Sequence, residues 1–236
     1  MSKRKRTAIL ISGRGSNMTA LIRAAGEPDY PAEICCVISD QPEAPGLAVA
    51  ASSGIPTFVA PRAGHPSKAA HEAEIQRILE QSGAELICLA GFMRILSPDF
   101  VKRWEGRIIN IHPSLLPLFP GLTTHARVLQ QGMRIHGCTV HFVTAEMDAG
   151  PIIAQAAVPV LPDDTEGELA ARVLNMEHKI YPLALSMLAS GKVRMENNRA
   201  VYVASLEIGW GPTTSLMVPS SIEEIVNLED LARRTP

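Results

Sequence analysis

Short apolar runs alternate with longer helical stretches through the first half of this chain, and that alternation restricts the fold more than any other feature. Residues 7–11, 34–38, 57–59, 86–89 and 108–111 are too short for helices and read as parallel strands buried on both faces. Residues 17–25, 46–53 and 68–81 have helical character and lie between them. This order predicts an α/β fold: a doubly wound, mostly parallel sheet flanked by helices. Residues 139–143 and 152–159 read as later strands, and 165–189 as a long last helix. Thr165 and Glu168 give that helix a capping box. Gly191 stops it, and Pro182 is expected to kink or break it.

The pattern runs to about residue 198, so a single domain is expected over residues 1–198. Residues 199–236 form a C-terminal strand and tail to which no chemistry is assigned. Within them, 201–206 read as a strand, Gly209-Trp210-Gly211-Pro212 as punctuation, and 222–231 as a short helix. A formal net charge of −2 gives no global attraction to nucleic acid or to a membrane surface. No segment is apolar over the length that a bilayer requires. The one dense basic run, Lys3-Arg4-Lys5-Arg6, precedes an apolar stretch shorter than the roughly 7 residues of a secretory signal. It reads as a solvated tail. The four cysteines, Cys35, Cys36, Cys88 and Cys138, show no Cys-x-x-Cys spacing and read as reduced core thiols, which fits the cytoplasm. A monomer and a homodimer are equally compatible with the pattern.

Chemistry concentrates in Asn110-Ile111-His112-Pro113. Residues i and i+2 of a strand point to the same side, so Asn110 and His112 should face one space. A carboxamide can donate to a developing oxyanion, and an imidazole can also carry protons. That pair suits acyl transfer. Downstream, Asp148 in Met147-Asp148-Ala149-Gly150-Pro151 can hold the imidazole in its charged form. Each residue also has a plain reading: a strand end, a satisfied histidine and a turn aspartate. Gly13-Arg14-Gly15-Ser16-Asn17 follows the first strand and opens the first helix. Its two glycines serve either a tight turn or a close approach to an anion at the helix N-terminus. Met18 stands where a dinucleotide fingerprint needs its third glycine, which favours a single phosphate.

Asn110 to Pro117, the segment Ala90-Gly91-Phe92-Met93-Arg94-Ile95-Leu96, and Asp148 in its loop together resemble the folate-dependent formyltransferases. The opening Ile11-Ser12-Gly13-Arg14-Gly15-Ser16-Asn17 is similar to that of the members that formylate phosphoribosylglycinamide in purine synthesis. The resemblance covers residues 7–198. It implies 10-formyltetrahydrofolate as co-substrate, small-molecule substrates, and no metal. Asn110, His112 and Asp148 are implied to be catalytic, with Asn110 also touching the folate. Gly13, Gly15, Ser16, Asn17 and Glu177 are implied to hold phosphoribosylglycinamide. Lys68, Met93, Arg94, Ile95 and Leu96, with Thr144, Ala145, Glu146 and Met147, are implied to line the folate pocket. On residue type alone, Lys68 is a solvated helix lysine, Glu177 an exposed helix glutamate, and Phe92, Ile95 and Leu96 core.

Two positions depart from the family pattern. Thr123 replaces the first of two histidines spaced by one residue, and His125 keeps the second. Ala149 replaces a glycine after Asp148 and should stiffen that loop, since alanine resists positive φ. Among related activities, tRNA formylation would call for a further C-terminal domain and a basic surface. Hydrolysis of the formyl folate would call for a regulatory domain before the first strand, where six residues precede Thr7. A folate- or nucleotide-binding protein without activity would not need the Asn110–His112–Asp148 set.

Overall fold

The computed structural model describes residues 4–203. Five strands run parallel: β1 (Lys5–Ile11), β2 (Ala32–Ser39), β3 (Thr57–Val59), β4 (Leu86–Leu89) and β5 (Ile108–His112). Two more, β6 (Ile135–Phe142) and β7 (Ile152–Pro159), extend the sheet antiparallel, giving the order β3-β2-β1-β4-β5-β6-β7. Three helices follow the first strands: α1 (Ser16–Ala25), α2 (Pro45–Ser52) and α3 (Lys68–Gln81). The short α4 (Pro98–Arg103) and α5 (Thr124–Gln130) flank β5, and the 24-residue α6 (Glu166–Ala189) crosses one face of the sheet. A hairpin of β8 (Val193–Glu196) and β9 (Arg199–Tyr202) follows.

The continuous apolar runs are explained by this layering. Ile9, Ile11, Val37, Cys88 and Ile109 point to the side of α1 and α6, where Leu21, Val173, Tyr181 and Leu185 meet them. Their neighbours Ala8, Leu10, Ile38, Ile87 and Ile108 point to the other side, against Ile75, Leu79 and Phe100 of α3 and α4. Both side-chain sets of a strand are thus buried, and no polar alternation survives.

Several expectations change. The edge strand β3 is half-buried, because β2 covers only one of its sides. Residues 4–6 are not a solvated tail. Lys5 and Arg6 begin β1, the Arg4 guanidinium donates to the carbonyls of Ala25 and Ala32, and Arg6 pairs with Glu33. Nor does Pro182 break α6. The helix passes through it, held by the burial of Ile180, Tyr181, Ala184 and Leu185, while Tyr30 Oη donates to the Pro182 carbonyl at 2.6 Å. The capping box at Thr165 and Glu168 is present, and Gly191 sits at φ 72° just beyond the helix. Of the strand expected at 201–206, only residues 201 and 202 lie in β9, which starts at Arg199 and ends at Tyr202. Residues 204–206, Gly209 to Pro212 and 222–231 lie outside the described residues. All four cysteines are buried and free. Among the described residues no helix is long and apolar enough to cross a membrane.

Candidate active site

Strand β5 carries Asn110 and His112, and the loop between β6 and β7 brings Asp148 to them. His112 is 6% exposed. Its Nε2 lies 3.0 Å from the Phe119 carbonyl oxygen. A carbonyl only accepts, so Nε2 carries a hydrogen. Nδ1 on the other side of the ring faces Asp148 Oδ2 at 3.5 Å. Asp148 Oδ2 in turn accepts the Gly121 N–H at 2.8 Å. The aspartate adopts φ +55°, a conformation that Asp tolerates better than most side chains.

The antiparallel register sets His141 of β6 opposite Asn110. His141 Nδ1 lies 2.9 Å from the Phe142 carbonyl and must donate to it, so the lone pair of Nε2 is left to accept Asn110 Nδ2–H at 3.2 Å. That tautomer requires a neutral ring. Burial supplies the condition by lowering the His141 pKa, against the opposing pull of the Phe142 carbonyl and Asp148. Asp148 Oδ1 is 4.0 Å from His141 Nε2. Asn110, His112, His141 and Asp148 therefore form one cluster.

At the start of α1, Gly15 adopts φ +73° and is the N-cap, so this glycine is needed for the turn. Gly13 differs: a Cβ there would meet nothing within 4 Å, which leaves open space beside the backbone. The first-turn N–H groups of α1 face this end, without partners in the helix itself. Asn17 Nδ2 donates to Glu177 Oε2 at 2.6 Å. Glu177 is 6% exposed, not a surface glutamate, and burial raises its pKa while Asn17 opposes the shift. Asn17 Oδ1 is buried without a hydrogen-bond partner.

A cleft of about 270 Å³ lies beyond β4, lined by Arg62, Lys68, His71, Glu72, Phe92, Arg94, Ile95 and Leu96. Met93 and Ile95 are 70% and 69% exposed, unusual for apolar side chains beside a core. Leu96 is instead buried with α3 and α4. Lys68 opens α3 after the Ser67 cap, its Nζ 4.0 Å from Glu72 Oε1. Thr144, Ala145, Glu146 and Met147 lie in the loop that leads to Asp148 and take no part in lining this cleft.

A family model described as formyl transferase matches residues 5–185, most of the chain. The chain belongs to the formyl transferase family. It is 44% identical over 192 residues to the phosphoribosylglycinamide formyltransferase of Escherichia coli (strain K12), covering 81% of this chain and 91% of that protein. It is 49% identical over 202 residues to the trifunctional purine biosynthetic protein adenosine-3 of Bos taurus. That match covers 85% of this chain, which spans about a fifth (20%) of the trifunctional protein's length. The crystal structure of phosphoribosylglycinamide formyltransferase from Brucella melitensis is similar with a TM-score of 0.77 and 59% identity, covering 80% of this chain and 97% of that one.

Thr123 and Ala149 are the two positions expected to depart from the family pattern. Thr123 sits at φ +55° before α5, its hydroxyl turned back to the Leu122 carbonyl at 2.8 Å. The retained His125 meets His136, Nδ1 to Nε2 at 3.1 Å. The positive φ of this loop falls on Asp148 and not on Ala149. Glycine is required one residue later: a Cβ on Gly150 would lie 1.7 Å from the Phe142 carbonyl oxygen. Residue-by-residue reading missed His141, whose partner is set by strand register. It also missed Ser12 and Asp40, whose hydrogen bonds join the start of the 13–17 loop to Met93 and Arg94.

Proposed function

We propose that this formyl transferase moves the formyl group of 10-formyltetrahydrofolate to the amine of 5-phosphoribosylglycinamide, giving formylglycinamide ribonucleotide and tetrahydrofolate. The observation that carries this is the cluster in which His112 is held between the Phe119 carbonyl and Asp148, beside an Asn110 oriented by His141. The amine attacks the formyl carbon, and the formyl oxygen takes the negative charge of a tetrahedral intermediate. With one Nδ2 hydrogen given to His141, Asn110 offers the other to this oxygen. His112 offers a hydrogen from Nδ1, with Asp148 balancing the imidazolium. Collapse breaks the bond to N10, which takes a proton as it leaves, and the attacking amine loses one. His112 relays these protons, directly or through water. Each such donor contributes about 10² to 10³ in rate, and a positioned acid–base group about 10² to 10⁴.

The phosphate sits at Gly13, Gly15, Ser16 and Asn17, on the first turn of α1. Glu177 and the unpartnered Asn17 Oδ1 face the glycinamide ribonucleotide. Met93, Arg94, Ile95 and Leu96 receive the flat pterin, with the exposed apolar side chains against its faces and backbone groups at its edge. The loop from Thr144 to Met147, outside that cleft, meets the pterin from the side of Asp148, and Lys68 approaches the carboxylates of the folate tail. The test is absorbance-monitored release of tetrahydrofolate with and without the ribonucleotide. Turnover is expected only with it. His112→Ala and Asp148→Ala are expected to fold and to bind the ribonucleotide, yet to lose about 10² to 10⁴ in kcat. Wild-type turnover in either variant contradicts the mechanism.

A further inference from the structure

We propose that Asp40 is a positioning residue that locks the phosphate loop to the folate-facing segment, so that the two substrate sites are held by one buried carboxylate. The inference rests on the substrate assignment above. Asp40 follows β2 and is 2% exposed. Its Oδ1 accepts the Ser12 hydroxyl at 2.5 Å, and its Oδ2 accepts Arg94 Nε–H at 2.6 Å. Gln41 Nε2 also donates to Oδ2, at 3.2 Å. Ser12 Oγ is itself the acceptor for the Met93 N–H at 2.8 Å, and the Ser12 N–H donates to the Gly91 carbonyl at 3.1 Å.

Ser12 immediately precedes Gly13, so it anchors the start of the phosphate loop. Met93 and Arg94 belong to the folate-facing segment after β4. Asp40 itself lines neither site. It joins the carboxyl ends of β2, β1 and β4, three adjacent strands. A carboxylate can serve both donors at once because each oxygen accepts. An asparagine accepts through one atom only: with its oxygen on Arg94 its amide faces Ser12, whose hydroxyl must turn from donating to accepting, and the charge that balances the Arg94 guanidinium is lost. A displacement of the Ser12 hydroxyl is therefore felt at the Met93 amide and at the Arg94 guanidinium together.

The test is calorimetric titration of glycinamide ribonucleotide and of tetrahydrofolate, each alone, on wild type, Asp40→Asn and Ser12→Ala. Thermal melts are read alongside. Both variants are expected to weaken both ligands about tenfold, with the double variant losing less than the product of the two single losses. In turnover, both KM values should rise more than kcat falls. Weakening of tetrahydrofolate alone would make Asp40 a local support for Arg94 and overturn the coupling, as would no change in either affinity. If Asp40→Asn does not fold, Ser12→Ala decides by the same reading. Wild-type protein that binds neither ligand would sink the substrate assignment itself, a result distinct from one-sided weakening.

Discussion

An alanine at position 150 probes the site through its backbone. Its Cβ would lie 1.7 Å from the Phe142 carbonyl oxygen and 2.8 Å from the carbonyl carbon. Both atoms belong to β6, which is laddered to β5 on one side and β7 on the other. The strand is fixed, so the loop carrying Asp148 must retreat by more than an ångström. Overpacking of this kind costs about 1–3 kcal/mol, and a backbone obstacle puts it at the upper end. At this chain length that lowers Tm by roughly 5–10 °C. The same retreat draws Asp148 away from His112 Nδ1, and a misplacement of about 1 Å can cost about 10² in rate. Gly150→Ala should therefore show both losses in a thermal melt and in the tetrahydrofolate-release assay. Ala149→Gly is the control. Residue 149 bears no positive φ, so only unfolded-state entropy of about 0.4–1 kcal/mol is at stake and kcat should hold. Wild-type kcat and Tm in Gly150→Ala would refute the close-approach argument.

Glu177→Gln should raise KM for the ribonucleotide by about 10-fold to 100-fold, the worth of a charged hydrogen bond, while KM for the folate changes little; equal rises in both would move Glu177 away from the ribonucleotide. Thr123→Gly removes a β-branched residue from φ +55° and should raise Tm by a few degrees, read by calorimetry. Stability should fall in acid. Burial pushes His136 down to about 4, with His125 and His112 adding to the shift, and burial also lowers His125 and His141. The unfolded chain, whose histidines titrate near 6.5, then takes up protons that the folded chain refuses. The contribution is complete above about pH 6.5 and is lost as pH falls toward 4. A melting series across that window should show Tm dropping, with a shallower drop in His136→Asn; a flat series would contradict the buried neutral rings.

The parallel half of the sheet was legible because strands covered on both faces leave an unmistakable apolar run. The antiparallel half was legible as strands but not as a reversal, since direction is decided by connections rather than composition. α4 escaped notice at six residues, although Ser97-Pro98 is a sound cap and first position for a helix. The β8–β9 hairpin was not foreseen, although Asn197-Asn198, both at positive φ as its turn requires, mark it in the sequence. Within the site, the strand period of two was enough to pair Asn110 with His112. His141 needed the register, which no local window contains. Glu177 was misjudged as exposed, yet it falls on the stripe of Leu169, Val173, Ile180, Tyr181 and Ala184 that α6 buries. A carboxylate in an apolar stripe is itself a signal.

Tyr181 gives α6 the character of a ruler. Its hydroxyl hydrogen is shared between the carbonyls of Leu89 and Ile109, at 2.9 and 3.1 Å. Each of those residues ends or precedes a stretch that carries site residues. Glu177 stands four residues earlier, about one turn up the same helix. The position of the Glu177 carboxylate relative to Asn110 is therefore measured off in helical turns from a mark fixed on the sheet. Loops around the site can lengthen or shorten without disturbing that measure. A single residue gained between 177 and 181 would swing the carboxylate through about 100°, away from Asn17, and would carry Leu169 and Val173 off the buried stripe with it. In this fold the count of residues between the two places the carboxylate as firmly as their identity does.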